Sequence, residues 1–495
     1  MAESKTNNTI QAFWVAIGSL CAFGVSLLST VILSRYFIKS DYGTYRQVLY
    51  VYNTLLVVFT LGLPKAFAYF LPRVEDCYAK SLIKKITRIF FFLGGIFSLL
   101  LFIFSPQIAT VMKNPDLAVA LRIFSPVPFL LLPTMGIEGI FAVYQKNKYM
   151  ALYNILTKSF ILLCVALPVI CWKGSYVEAL VGFGVASFFS FLLANYLKYW
   201  CVKGKGNQQT SISNKEIFQF SWPLLVASLW GILIQSVDNF YISRFFGTMI
   251  FAEFANGSLQ LPFVGMVIGA CSTVLMPLFS KKVYEGGNPQ IEILPVWKSV
   301  FEKTIKITYP LVVFFLFFAD YIMIILYGKQ YENSGTYFAI MLIVNFFTVI
   351  SYFPILIAIG ASKFYGKVQM YGAISVIVLE YLAIIIFKSP YVVTAVSVLC
   401  TVGRIYVMLT FIAHYFGIGF FKIIPFKLVF LILFPTAIIL FIIRYLMGRL
   451  LPITNLLFVL IISFLLFFVT YLIWCRIVHI EYKSLIRPIY SKFIK

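Results

Sequence analysis

Long apolar runs separated by short polar connections make up almost the whole chain. In order they predict about fourteen helices, with approximate bounds 12–37, 46–71, 87–112, 120–143, 149–172, 176–200, 217–245, 251–280, 299–327, 335–359, 365–387, 391–416, 426–447 and 453–478. Each is close to the ~20 residues that an α-helix needs to cross the hydrocarbon core of a bilayer. The runs are continuous rather than alternating, which predicts helices and not a barrel. The connections are too short to hold a soluble catalytic domain. The clearest internal boundary is Gly204-Lys205-Gly206-Asn207-Gln208-Gln209-Thr210-Ser211, polar, basic and glycine-containing. Just beyond it, Ser213 and Glu216 have the spacing of a capping box that opens helix seven. A second breaker, Glu285-Gly286-Gly287-Asn288-Pro289, follows helix eight.

The seventh to twelfth runs repeat the first six. Ser34-Arg35-Tyr36-Phe37 with Tyr42-Gly43-Thr44-Tyr45 recurs, at one constant offset, as Ser243-Arg244-Phe245-Phe246 with Phe251-Ala252-Glu253-Phe254. The number of crossings between the copies is even, so both enter the membrane in the same direction. The predicted fold is therefore an all-α polytopic membrane protein of two pseudo-symmetric six-helix lobes plus two C-terminal helices. The expected domains are 1–203 for the first lobe, 204–214 for a cytoplasmic linker, 215–416 for the second lobe, and 417–495 for the two added helices and a basic tail. A duplicated bundle with parallel repeats is an architecture of secondary transporters.

Composition agrees. Of 495 residues 61% are hydrophobic and 12% charged, and the mean hydropathy is +0.95, more apolar surface than a soluble interior can hide. The run from 13 to 33 is too long for a signal-peptide core and is followed by no Ala-x-Ala site, so it reads as a retained first helix. The net charge of +23 is a topology signal rather than a nucleic-acid footprint. With the N-terminus inside, roughly 26 Lys and Arg fall on the inner side, about 11 on the outer side and about 3 well within helices. Both termini are expected in the cytoplasm, with the basic residues meeting anionic lipid. The cysteines form no C-x-x-C pair and only His414 and His479 accompany them, so neither a metal site nor a cofactor is expected.

Several predicted helices contain proline, including Pro64, Pro126, Pro128, Pro133, Pro168, Pro223, Pro262, Pro310 and Pro354. Such bends often line a transport path, although proline is also simply commoner in membrane helices than in soluble ones. Gly265-Met266-Val267-Ile268-Gly269 has the form of a close-packing motif. Charges within the membrane are more informative, since each costs about 2.5–3.5 kcal/mol at mid-bilayer even on a lenient scale. Lys65, just after Pro64 in helix two, and Arg404, near the middle of helix twelve, are too deep to snorkel and predict a polar cavity. Asp238 in helix seven is either a cation or proton site or a fixed counter-ion. Glu380 in helix eleven is a second candidate for ion coupling, and Asp320 lies near the end of helix nine. Lys158 and Glu138 are candidates for one ion pair between helices five and four. Arg35, Lys39, Arg122 and Arg244 lie near helix ends, where they are either anchors or cavity residues. The candidate substrate cavity thus comprises Lys65, Arg404, Asp238, Arg35, Arg244 and Lys158. Deep cations suit a phosphate-bearing cargo.

The stretch Leu33-Ser34-Arg35-Tyr36-Phe37-Ile38-Lys39-Ser40-Asp41-Tyr42-Gly43-Thr44-Tyr45, with Leu61-Gly62-Leu63-Pro64-Lys65-Ala66, resembles the amino-terminal signature of the polysaccharide-export flippases, which include the Wzx-type O-antigen and capsule flippases. The second half is similar to them at Trp222-Pro223-Leu224-Leu225, at Asp238 to Arg244, and at Met276-Pro277-Leu278-Phe279-Ser280. The family belongs to the multidrug/oligosaccharidyl-lipid/polysaccharide superfamily. The resemblance implies two six-helix lobes around a central cationic cavity, which Lys65 and Arg404 would satisfy. It implies alternating access in a bacterial cytoplasmic (inner) membrane, carrying an undecaprenyl-diphosphate-linked oligosaccharide from the inner to the outer leaflet. Membrane lipids, and the polysaccharide polymerase and chain-length machinery, are the partners it implies. No Walker A motif is present, so an ion gradient rather than direct ATP hydrolysis is the expected energy source. The alternatives are an ion-coupled multidrug exporter of the same superfamily, which calls for a carboxylate-rich cavity, and a membrane glycan polymerase or glycosyltransferase, which calls for a catalytic loop or D-x-D motif that this chain lacks.

Overall fold

Hydrocarbon offers peptide groups no water to pair with, so an apolar chain of this kind closes its hydrogen bonds within helices. A computed structural model describes residues 2–206, 208–350, 352–450, 455–480 and 482, and among them there is no strand. The chain divides into two compact units, Met1–Ala255 and Asn256–Lys495. This division of contacts falls near the end of the helical segment Asn214–Gly257, which is joined to the helix Lys39–Thr60 through Gln47–Ser243 and Tyr50–Ser236.

The first unit holds α1 (Ala2–Tyr36), α2 (Lys39–Thr60), α3 (Ala66–Phe70), α4 (Asp76–Ile103), α5 (Ser105–Val111), α6 (Asp116–Phe124), α7 (Pro126–Leu131), α8 (Ile137–Val143), α9 (Asn147–Trp172), α10 (Tyr176–Trp200) and nearly all of α11 (Asn214–Gly257). α1 lies along α9, α9 along α10, and α10 against α6 and α7. Tyr52 of α2, Phe97 of α4 and Phe124 of α6 meet in its core, with Tyr52 stacked on Phe97 at 5.8 Å and edge-on to Phe124 at 5.3 Å.

The second unit continues with α12 (Pro262–Tyr284), α13 (Pro289–Glu292), α14 (Leu294–Phe317), α15 (Ala319–Tyr327), α16 (Ser334–Leu342), α17 (Asn345–Thr348), α18 (Phe353–Ala358), α19 (Ser362–Phe387), α20 (Pro390–Tyr415), α21 (Phe426–Leu450) and α22 (Leu456–Ile477). The added C-terminal helices are fastened to it. Arg444 of α21 pairs with Asp320 of α15 at 2.6 Å, and Phe314 of α14 packs against Phe464 and Phe467 of α22.

Among the described residues, ten helices are long and apolar enough to cross a membrane, or up to thirteen if each of three bent pairs is one span. The run expected at 335–359 falls on α16 to α18, short pieces that do not pass that test singly. Several expected straight helices are broken. The run expected at 46–71 turns by 57° after α2, where Leu61 and Gly62 both take left-handed backbone (φ 48° and 70°) before the 3-10 turn Leu63–Lys65. The run at 120–143 is split into α6, α7, the 3-10 turn Leu132–Thr134 and α8. The run at 299–327 bends by 71° between α14 and α15. The connection expected between 245 and 251 is present as the non-helical Gly247, which divides α11 into two helical stretches; the expected helix eight is itself interrupted after Gly257, and α12 begins at Pro262. Among the described residues, a Cβ added at Gly265 or Gly269 would meet nothing within 4 Å. Pro168, Pro277 and Pro435, by contrast, sit inside continuous helices.

The expected capping box at the start of α11 is present: Glu216 N donates to Ser213 Oγ at 3.2 Å and Ser213 N donates to Glu216 Oε1 at 3.1 Å. The linker before it is strapped to the start of α4. Lys205 pairs with Asp76, Gln208 N donates to Cys77 O at 3.0 Å, Thr210 N to Ser81 Oγ at 3.1 Å, and Lys85 Nζ to Ile212 O at 2.5 Å.

Candidate functional site: a polar track between α2 and α11

Polar residues recur on one face of α2 at Arg46, Tyr50, Asn53, Thr54 and Thr60, and on one face of α11 at Ser228, Gln235, Ser236 and Asn239. Their spacing follows the helical period, so each set forms a stripe on an otherwise apolar helix. The stripes face each other and enclose two cavities. One, of about 300 Å³, is lined by Arg46, Tyr50, Asn53, Thr54, Gln235, Ser236, Asn239 and Phe251. The other, of about 380 Å³, is lined by Thr60, Gly62, Pro64, Lys65, Ser228, Gly231 and Gln235. Ile232 and Gln235 border both. The result is a track in which amides and hydroxyls sit among apolar side chains such as Leu49, Val57, Leu224 and Ile232, with a cation at each end, Arg46 and Lys65, and no Asp or Glu in its lining.

Two local features place Lys65. The left-handed Gly62 fits because a Cβ there would lie 2.9 Å from Leu224 Cβ and from Ser221 O of α11. The next turn then carries Lys65 into the cavity with its side chain exposed. No hydrogen bond or ion pair occupies the Lys65 ammonium among the described residues.

At the Arg46 end the track is closed by the duplicated signature itself. Lys39 Nζ pairs with Glu253 Oε1 at 2.5 Å. Arg46 Nη2 donates to Ala255 O at 2.8 Å and Tyr50 OH to Ser236 O at 3.0 Å. A buried chain runs behind them: Asn114 Nδ2 donates to Gln47 Oε1 at 2.6 Å, and Gln47 Nε2 donates to Ser243 Oγ at 2.7 Å. A Cβ on Gly43 would stand 2.3 Å from Thr248 O, so the two copies touch backbone to side-chain position here. Each buried amide is paired, which makes this seam rigid.

The other expected site residues are scattered. Asp238 is buried (5% exposed), and its carboxylate accepts from Asn239 N at 2.8 Å and Asn239 Nδ2 at 3.1 Å. Arg244 donates to Val111 O, fastening α11 to the end of α5. Arg35 is exposed and lines neither cavity. Lys158 and Glu138 do not form the expected pair: both are exposed, and no ion pair joins them. Glu380 is fully buried in α19 of the second unit. Arg404 belongs to that unit as well, in an apolar groove of about 790 Å³ between α19 and α20. Its Nη1 donates to Gln369 Oε1 at 2.6 Å and its Nη2 to Thr401 Oγ1 at 3.0 Å, while Nε has no partner among the described residues. Of these residues, then, only Lys65 lines the track. The expectation missed Arg46, the amides beside it and the buried Lys198. The stripes were readable from their spacing alone.

Residues 10–283 match the family model described as polysaccharide biosynthesis protein. No curated protein sequence matches the chain. Among solved structures, the fold is similar to that of a lipid II flippase, MurJ, in an inward closed conformation, with TM-score 0.71 and 16% identity over 95% of this chain and 99% of the other. It is similar to an inward-facing multidrug resistance MATE family transporter of the MOP superfamily, with TM-score 0.64 and 12% identity over 79% and 94% of the two chains. A MOP superfamily transporter from Pyrococcus furiosus, described by the reverse polarity of its binding pocket, gives TM-score 0.57 and 14% identity over 83% and 96%.

Proposed function

The chain belongs to the polysaccharide biosynthesis protein family, within the multidrug/oligosaccharidyl-lipid/polysaccharide superfamily, and on that premise we propose that it is a flippase for lipid-linked oligosaccharide. The cargo is an undecaprenyl-diphosphate-linked repeat unit of O-antigen, capsule or exopolysaccharide, carried from the inner to the outer leaflet of a bacterial cytoplasmic membrane. The observation that carries this reading is the track between α2 and α11, which offers two cations, several amides and hydroxyls, and no carboxylate. A diphosphate wants cations, and sugar hydroxyls want amides and hydroxyls that both donate and accept. An exporter of cationic drugs would want the carboxylates that are missing from this lining.

Alone, such a head group crosses hydrocarbon very slowly, because its charges and hydroxyls lose their water partners. The track replaces those partners while the prenyl tail stays in lipid. Within the second unit, Arg404 in its apolar groove is a phosphate-binding candidate in its own right. Cargo that binds inward-open and outward-open states unequally shifts the population between them. Asp238 and Glu380 are the candidates for ion coupling. Both termini and the linker face the cytoplasm, and the polymerase and chain-length machinery act on the delivered product. The protein moves this cargo and performs no covalent chemistry on it.

The deciding experiment deletes the gene in a strain without a redundant flippase and assays both leaflets for undecaprenyl-diphosphate-linked oligosaccharide. Accumulation on the inner leaflet with loss of surface glycan is expected. Normal surface glycan without accumulation overturns the assignment in favour of a drug exporter.

A further inference from the structure

Lys198 is fully buried in the last turn of α10, two residues before its end at Trp200. Among the described residues, no carboxylate forms an ion pair with it. A four-carbon stem so near a helix end can ordinarily snorkel to the interface, yet this one turns inward. Its ammonium donates to Pro133 O at 2.5 Å and to Met135 O at 3.0 Å, and lies 5.0 Å from the centre of the Phe67 ring.

Those two carbonyls belong to the break between α7 and α8. The 3-10 turn Leu132–Thr134, the extended Met135 (φ −61°, ψ 152°) and the left-handed Gly136 (φ 75°) interrupt the helix. Carbonyls within such a break lose their helical donors, and in a membrane no water replaces them. Lys198 supplies both donors from one ammonium. The break in turn stacks on the turn that follows α2. A Cβ at Gly136 would stand 2.4 Å from Phe67 Cδ2 and 3.0 Å from Pro64 O, and one at Gly139 would stand 3.1 Å from Ala68 N. Pro64 precedes Lys65 directly, and Phe67 follows two residues later.

We infer that Lys198 is a positioning residue: by holding the break between α7 and α8 through Pro133 O and Met135 O, it sets, through Gly136 and Phe67, where Lys65 stands in the track. This rests on the flippase reading only in taking Lys65 as a cargo contact. The mechanical link stands without any cargo.

The experiment uses the full chain in membranes, in a background lacking the native cysteines. Lys65→Cys reports the position of the turn through its rate of modification by a small water-soluble cationic thiol reagent, and Gln209→Cys in the exposed linker is the control. Adding Lys198→Met, which keeps length and loses the donors, changes the rate at position 65 by about fivefold or more and leaves position 209 unchanged, as expected for a local shift. Lys198→Arg, which keeps the donors, restores the original rate. Should Lys198→Met fail to reach the membrane, Phe67→Leu removes the ring that transmits the contact and is expected to move the same rate. An unchanged rate at position 65 in a folded variant overturns the inference. In export assays, Lys198→Met lowers the rate about tenfold in the native background and adds nothing to Lys65→Ala, because coupled residues fail to add. Fully additive losses also overturn the inference. If the cargo were another molecule, the export assay would be silent and the labelling result would still decide.

Discussion

Lys65 and Arg404 look alike in the sequence: single cations deep in apolar helices, each too far from an interface to snorkel. Their surroundings differ. Lys65 stands on a broken turn, exposed to a cavity lined by hydroxyls and an amide, with no partner on its ammonium. Arg404 lies across Gly372 of the neighbouring helix, where a Cβ would stand 2.1 Å from its Cδ, and spends two donors on Gln369 and Thr401 in an apolar groove. Depth sets the cost of placing a charge; the partners decide whether that charge is left available to a ligand. Lys65 is wholly available, and Arg404 partly serves to join α20 to α19.

This contrast is tested most strongly at Lys65. Lys65→Glu places a like charge against a phosphate and is expected to lower export about 100-fold, since like-charge juxtaposition costs several kcal/mol. Lys65→Ala loses only the attraction and falls less. Neither substitution removes a contact from the folded protein, so the thermal midpoint in detergent stays unchanged. Export by Lys65→Glu at the native rate, measured as surface glycan per membrane-inserted protein, removes this residue from the cargo path.

Arg404 is expected to show the opposite balance. Gln369→Leu strips one partner from a half-buried guanidinium and destabilises the protein by about 1–3 kcal/mol, the usual range for orphaning a buried donor. Thermal unfolding in detergent reads that loss. Export falls about tenfold for Arg404→Ala and less for Arg404→Lys, which keeps the charge but cannot span Gln369 and Thr401 together. Arg404→Glu is the worst of the three. If Gln369→Leu leaves the midpoint unchanged, the joining role is wrong.

The apolar runs showed the helices plainly, because length and continuity are the bilayer's own requirements. The capping box at Ser213 and Glu216 was legible for the same local reason. The breaks were not. The turn after α2 rests on left-handed Leu61 as well as Gly62, and a leucine in an apolar run carries no turn signal. Gly247, by contrast, falls in the connection expected between 245 and 251, where a glycine does carry a signal. Lys198 resembles an interfacial anchor until α7 and α8 are seen to bring two bare carbonyls to it. Asn53, Gln235 and Asn239 carry a smaller insertion penalty than a charge, so they do not stand out by cost; only their helical spacing marks them. The repeat was visible, but its meaning was not: the matching segments meet at the Arg46 end of the track, and of them only Phe251 lines its cavity.

That closure offers a smaller effect. The Lys39–Glu253 pair is partly exposed, with side chains 23% and 8% accessible, so screening limits its worth to about 1 kcal/mol. Lys39→Glu is expected to reduce export about threefold, and the exchange Lys39→Glu with Glu253→Lys to recover most of it, as a double-mutant cycle would show. No recovery in the exchanged protein means that the pair does not govern the closure.

Lys158 provides the sharpest small test. It is a third cation well inside an apolar helix, and charge content alone would rank it with the other two. The structure places it on the exposed face of α9, lining neither the track nor the α19–α20 groove. Among the described residues, no ion pair would be broken by removing it. Removing this cation from an apolar helix relieves an insertion cost of up to about 3 kcal/mol, so stability does not fall. Lys158→Ala is therefore expected to change export by less than about twofold at equal membrane levels. A loss comparable to that of Lys65→Ala, in the same assay, would mean that cationic charge along the helices matters more than a place in the track. The path for the head group would then have to be redrawn to include α9.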